Sequence, residues 1–386
     1  MYVFKDGPNA GHTIYRDDYK LVLHQIPSGI IHNNVQCLIA HGCIVDPKKL
    51  INEINMLLQY DNTINIKEKL LIAKNCHIIT DEHIKKDTKR ENAGKGNGST
   101  KCGISPCYSD KYYREGKRLT DVFFPGCNIS KVAKEFDINE SAVQLIIDLL
   151  IDDTYFINYE CNNKHILYEG AQGVFLDIDN PIYPNVSSSH VNLGGVIAGT
   201  GINFNKFKYD TNVVGIVKSY MSSVGVGKFL TEIKEPITLF RDFKFDPNIL
   251  REVGQEYGAT TGRPRKIGFL DLVMVKHACD ITGIDELCLT RLDTLKEAII
   301  KSGNTKFPVC IGYAAGNERD GYVIESNISW YDIDKYKPVY KMFDLWENID
   351  MYDKNFNYFI KYIENFVNVP IKYCSVGPGQ TDIKTF

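Results

Sequence analysis

Gly258-Ala259-Thr260-Thr261-Gly262-Arg263-Pro264-Arg265-Lys266, followed by Ile267-Gly268-Phe269-Leu270-Asp271, is the stretch on which the chain is organised. Two glycines let the backbone turn sharply and approach a ligand closely. Two threonines offer hydroxyl and amide donors. Two arginines offer planar forks that match carboxylate or phosphate oxygens. A basic surface turn has a similar composition. The apolar residues that follow separate the two, because they predict a buried helix over Leu270 to Thr282 and give the loop a rigid base.

Outward from this loop, strand-like and helix-like segments alternate. Tyr2-Val3-Phe4, Leu21 to Ile26, Val35 to Ala40, Leu70 to Ile72, His77 to Ile79, His165 to Tyr168, Val213 to Val217, Glu286 to Thr290 and Ile371 to Cys374 are the predicted strands. Asp46 caps a helix with Pro47 at its first position, and Leu50, Ile54, Leu57 and Leu58 form its inward face. Asn139 caps another, and a third carries Phe356, Phe359, Ile360, Ile363 and Phe366. Polar or glycine-rich loops follow strand after strand. The pattern predicts an α/β fold with a mostly parallel central sheet, flanking helices and ligands at the carboxyl ends of the strands. No linker or repeat divides the chain, so residues 1–386 read as one domain with inserted helical segments.

Composition narrows the class. A hydrophobic fraction of 44% and a charged fraction of 24% are ordinary for a globular protein. The formal net charge of -3 gives no reason to expect nucleic acid or an acidic membrane as partner. No apolar run reaches the length of a membrane span, and Met1 to Asp6 lacks the apolar core of a signal peptide. Eleven scattered cysteines with no Cys-x-x-Cys pair predict reduced thiols and a cytoplasmic location. Gly94-Lys95-Gly96 lacks the spacing of a phosphate-binding Walker loop.

Several short stretches carry chemistry. Asn9-Ala10-Gly11-His12-Thr13 places an imidazole on a turn, where it can meet a phosphate, protonate an oxygen, or be held by a backbone carbonyl. Glu169-Gly170-Ala171-Gln172-Gly173 offers a carboxamide able to read a purine edge or a phosphate. Ser187-Ser188-Ser189 offers hydroxyls. Asp293, at the end of strand Glu286 to Thr290, can accept from the N1–H and 2-amino group of guanine, donors that adenine lacks.

These stretches, with Leu23-His24-Gln25-Ile26-Pro27-Ser28-Gly29-Ile30, Thr290-Arg291-Leu292-Asp293 and Ser375-Val376-Gly377-Pro378, stand in the order found in adenylosuccinate synthetase, and the resemblance covers essentially the whole chain. That family has a P-loop-NTPase-like synthetase fold. It joins inosine monophosphate (IMP) to L-aspartate using GTP, by way of 6-phosphoryl-IMP, on the route to AMP. The resemblance implies His12 as the catalytic proton donor. It implies Gly11 as a carbonyl ligand to one Mg2+ ion, and Gly11, His12 and Thr13 along the GTP phosphates. Asn9, Ala10, Gly11, His12, Thr100, Gln172, Ser187 and Arg263 match positions that hold IMP, with Ser187 in place of the usual threonine. Arg114 matches an arginine that reaches the IMP of a neighbouring subunit, which implies a homodimer. Ala259, Thr260, Thr261, Gly262, Arg263, Pro264 and Arg265 match the aspartate loop, with Arg265 also near GTP. Arg291, Leu292, Asp293, Ser375, Val376 and Gly377 match the guanine pocket, Arg291 replacing the more usual lysine.

One departure stands at the start. The family opens with a strand and the phosphate loop Gly-Asp-Glu-Gly-Lys-Gly-Lys, roughly 30 residues ahead of Met1 here. That loop carries the catalytic aspartate, and loss of a general base costs about 10²–10⁴-fold. The sequence therefore predicts a poor catalyst as written, and two further expectations stand beside IMP–aspartate ligation. One is a non-catalytic nucleotide-binding remnant or partner subunit. The other is a viral-type synthetase acting on another purine nucleotide.

Overall fold

The structure, a computed structural model, describes residues 2–4, 9–16, 19–96, 98–161, 164–224, 227–258, 262–315, 323–324 and 330–386. The chain divides into two compact units, one of Met1–Ile14 with Asp18–Thr211, the other of Tyr15–Asp17 with Asn212–Phe386.

The first unit is built on a five-stranded sheet ordered Leu150–Ile151, Leu70–Ala73, Gln36–Ile39, Tyr2–Phe4 and Ile166–Tyr168, parallel throughout. Parallel strands need crossover connections, and helices supply them. Helix Pro47–Tyr60 is capped by the Asp46 side chain on the Lys49 amide. It buries Leu50, Ile54 and Leu57. Each such side chain contributes about 1.5–3 kcal/mol when fully removed from water. Leu58, expected on that inward face, is instead exposed, and Ile51 takes its place in the core. Helix Asp81–Asn92 is rich in polar residues, yet it buries His83 and Asp87. His83 caps its own helix by accepting from the Thr80 amide, and Asp87 receives the Ser99 hydroxyl and the Gly103 amide.

The second unit has a sheet ordered Val214–Lys218, Glu286–Thr290, Ile371–Ser375 and Ile383–Thr385; the first three run parallel and the last is antiparallel. Lys266–Phe269, directly after the arginine loop, is a strand paired antiparallel with Tyr220–Ser223. The sequence had predicted that the loop leads straight into the helix, which begins later, at Leu272–Thr282. Within this strand a Cβ on Gly268 would lie 2.4 Å from the Thr231 carbonyl oxygen, so glycine here permits the close approach of the Thr231 backbone. The antiparallel pair of Lys306–Ala315 with Tyr336–Asp344 was not anticipated. Phe307, Phe343, Trp346, Phe356 and Phe359 pack together beside it with edge and stacked rings.

All eleven cysteines are free thiols. Among the described residues no helix is long and apolar enough to cross a membrane.

Candidate active site

In the first unit, strand Ile166–Tyr168 ends directly at Glu169, so the loop Glu169 to Gly173 begins at the carboxyl edge of the parallel sheet. Glu169 Oε1 lies 2.5 Å from His12 Nδ1. Its Oε2 accepts from the Ser28 amide at 3.0 Å and the Ser28 hydroxyl at 2.8 Å. Burial pushes the Glu169 carboxyl up, but the His12 and Ser28 bonds outweigh it and hold it below the ordinary carboxylate range. Gln172, in the same loop, has a left-handed backbone at φ 58°. Its Oε1 is buried without a partner among the described residues.

Two buried carboxylates shape the neighbouring loops. Glu53, on helix Pro47–Tyr60, accepts from the amides of His24, Gln25 and Ile26 and so fixes the turn that delivers Ser28. The His24 ring bonds the Ala10 carbonyl at 3.0 Å, which ties that turn to the Asn9 to Thr13 segment. Gly11 and Thr13 are exposed. Asp177 accepts from the Val191 and Asn192 amides and closes the loop that carries Ser187. The Ser187 hydroxyl is 3.2 Å from that of Ser189, and its amide donates to Leu176. Thr100 follows Ser99, whose hydroxyl is bound by Asp87. Arg114 is exposed, in the left-handed region at the end of helix Ile104–Tyr113.

In the second unit, Lys218 and Thr290 sit opposite each other at the carboxyl ends of adjacent parallel strands. Glu256 is fully buried between cations. Its Oε1 accepts from Lys218 Nζ at 2.8 Å and from the Tyr220 hydroxyl at 2.5 Å, and its Oε2 accepts from Arg265 Nη1 at 2.8 Å. Burial raises the Glu256 carboxyl, yet Lys218, Tyr220 and Arg265 together bring it down to about 2. Burial pulls the Lys218 ammonium below its ordinary value, the charges of Arg265 and Arg291 adding to the fall while Glu256 opposes it. The arginine loop is closed by Gly258 donating to the Arg263 carbonyl, Gly262 donating to Gly258, and Tyr257 bridging Pro264. Gly262 takes φ 64°. Arg265 Nε is buried without a partner among the described residues. Ala259, Thr260 and Thr261 lie outside the described residues.

Arg291 adopts φ 64° and turns strand Glu286–Thr290 into helix Leu292–Lys301, placing Asp293 in the first helical turn. Asp293 Oδ1 is buried and has no partner among the described residues. Ser375 ends the adjacent strand, its hydroxyl donating to the Gly377 carbonyl at 3.0 Å. The Val376 amide donates to the Asp382 carbonyl. A Cβ on Gly377 would come within 2.5 Å of an Asp382 carboxylate oxygen. Glu53, Asp177, Lys218 and Glu256 escaped the sequence reading, since a charged side chain whose partners are supplied only by the fold has no local signature.

The fold and these loops define an α/β enzyme whose polar segments stand at the carboxyl ends of parallel strands, the place where such sheets bind nucleotides. The family model of adenylosuccinate synthetase matches residues 2–144 and 125–384. Adenylosuccinate synthetase of Thermodesulfovibrio yellowstonii is 36% identical over 411 residues, spanning 98% of this chain and 91% of that protein. The Plasmodium knowlesi enzyme of the same name is 36% identical over 415 residues, spanning 99% and 89%. The structure of fully ligated adenylosuccinate synthetase from Plasmodium falciparum superposes with a TM-score of 0.81 at 31% identity, covering 100% of this chain and 93% of that one. Cyanophage S-2L succinoaminodeoxyadenylate synthetase, bound to dGMP and dATP, shares the fold at 17% identity with a TM-score of 0.60. The chain belongs to the adenylosuccinate synthetase family, whose members are GTP-utilising ligases.

Proposed function

We propose that this protein ligates IMP and L-aspartate to adenylosuccinate with GTP as phosphoryl donor. The observation that carries this reading is that two acceptors in separate motifs, Gln172 Oε1 and Asp293 Oδ1, are buried without partners among the described residues. Buried polar atoms are nearly always hydrogen-bonded, so each calls for a donor from a ligand. A purine edge suits Gln172, and guanine N1–H and its 2-amino group suit Asp293.

The reaction follows from leaving-group chemistry. The purine 6-oxygen leaves poorly; as the N1 proton is lost to water, the 6-oxygen takes the GTP γ-phosphoryl group and becomes a phosphate ester. The aspartate amine then attacks C6, the C–O bond breaks, and inorganic phosphate leaves with GDP as the other product. His12 donates a proton to phosphoryl oxygens as charge develops there. Asn9, Ala10, Thr100 and Ser187 bind the nucleotide, and Arg263 and Arg265 bind the aspartate carboxylates as planar forks. The carbonyl of Gly11, an exposed residue, would hold Mg2+ as a hard oxygen donor. Magnesium, when bound, spreads the charge of the transferred group. The exposed Arg114 reaches the nucleotide of a second copy, making a homodimer. The protein works in the cytoplasm, consistent with its free thiols.

Purified protein incubated with IMP, aspartate, GTP and Mg2+ is expected to release adenylosuccinate, detected by ultraviolet absorbance and chromatography. A parallel reaction with dGMP in place of IMP is expected to give no succinylated product. Product only with dGMP, or none with either, would refute this assignment.

A further inference from the structure

His12 does not stand alone. Its Nδ1 is 2.5 Å from Glu169 Oε1, and both residues are largely buried. The second Glu169 oxygen is fully engaged by two donors from Ser28, which lies 141 positions away in the chain. The carboxylate is therefore fixed from one side before the imidazole meets it.

We propose that Glu169 is the positioning residue for His12, a role that rests on the catalytic reading of His12 given above. An ionised carboxylate only accepts, so Nδ1 must carry the hydrogen shared with it. That assigns Nε2 to face the ligand and excludes the opposite tautomer. Nε2 is then the nitrogen presented to a phosphoryl oxygen, with the anchored carboxylate held behind the ring. Gln172 sits three positions further along the same loop, so one short segment aims the acid and carries the carboxamide proposed to bind the purine.

The geometry makes a sharp forecast for Glu169→Gln. Ser28 presents two donors, so the carboxamide oxygen must turn toward Ser28. Its NH2 then faces His12 Nδ1, which has to become an acceptor. The hydrogen moves to Nε2.

The test is two-bond 1H–15N correlation spectroscopy on protein labelled at histidine nitrogen, at a pH where the ring is neutral. His12 is assigned by its loss in His12→Asn. The native protein is expected to show the Nδ1–H form, Glu169→Gln the Nε2–H form, and Glu169→Asp the native form. Ser28→Ala is the control for a purely structural tether, and it too should keep the Nδ1–H form. In the ligation assay, Glu169→Gln should lower kcat by about 10²-fold or more and change KM for IMP by less than about threefold. Glu169→Asp should recover part of that loss. A native Nε2–H form, an unchanged tautomer in Glu169→Gln, or native kcat in that variant would overturn the proposal. Absence of adenylosuccinate from the native protein would instead refute the proposed function, and the spectra would still decide the His12–Glu169 pairing.

Discussion

Glu256 and Arg265 are joined twice: the Arg265 amide donates to the Glu256 carbonyl at 2.9 Å, and Arg265 Nη1 donates to Glu256 Oε2 at 2.8 Å. Backbone and side chain thus lock the same two residues, and the loop from Tyr257 to Pro264 is held between them. Because Lys218 claims the other carboxylate oxygen, one fully buried anion serves two partly exposed cations. Glu256→Gln leaves those cations facing each other without a counter-charge. Breaking a buried pair by removing one partner costs about 3–5 kcal/mol. Urea unfolding should show a loss of that order in Glu256→Gln. Adding Lys218→Met should restore part of it, because one of the two uncompensated charges is then gone.

The same carboxylate sets an acid limit. Its folded value, about 2, lies below the ordinary carboxylate value of 4.5. The unfolded chain therefore binds this proton more readily as pH falls. Stability from Glu256 is complete above about pH 5 and is lost as pH drops through 4.5 toward 2, a contribution on the order of 3 kcal/mol. Melting temperatures of the native protein and Glu256→Gln are expected to differ most near neutral pH. The gap should narrow steadily across that acid window, and a gap independent of pH would refute the account.

The contrast between motif and support explains what the sequence could reveal. His12, Gln172, Arg265 and Asp293 sit in short stretches with glycine turns or strand ends beside them, which are local signals. Strands such as Glu286–Thr290 and helix caps such as Asp46 were likewise legible from neighbouring residues. Glu53, Glu169 and Asp177 look like ordinary acidic residues until the fold brings them to amides at separations of 27, 141 and 14 positions. The antiparallel pair of Lys306–Ala315 with Tyr336–Asp344 was missed for a related reason. Lys306–Ala315 is a long apolar run without strict alternation, and Pro308 and Pro338 inside the two segments argue against strands.

Gln172 offers a way to separate binding from stability. Its Oε1 is buried and unpartnered among the described residues, so the free protein carries a desolvation penalty there. Gln172→Leu removes that acceptor at similar volume. Thermal stability of the unliganded protein is expected to hold or rise slightly. Affinity for IMP, measured by calorimetry, should fall about 10-fold or more, the loss of a hydrogen bond worth at least about 1.4 kcal/mol in the complex. Loss of stability together with unchanged affinity would mean that the carboxamide serves the fold and not the nucleotide.

In the proposed function, Asp293 is the residue that selects the triphosphate. The positive φ of Arg291 sets the turn that brings this carboxylate from the strand end into the first turn of helix Leu292–Lys301, and Oδ1 has no donor among the described residues. A site built to accept two donors rejects a base that lacks them, because the buried acceptor is then left bare. Asp293→Asn exchanges one acceptor oxygen for a donor, which opposes guanine N1–H and its amino group and instead suits adenine N1 and its 6-amino group. The ratio of kcat/KM for GTP over ATP should therefore fall by at least about 100-fold, roughly 2.7 kcal/mol of lost discrimination, since one contact disappears and another becomes repulsive. KM for aspartate should stay within about twofold, because Arg263 and Arg265 are untouched. A variant that keeps its preference for GTP would show that the base edge is read elsewhere in the loop from Ser375 to Gly377.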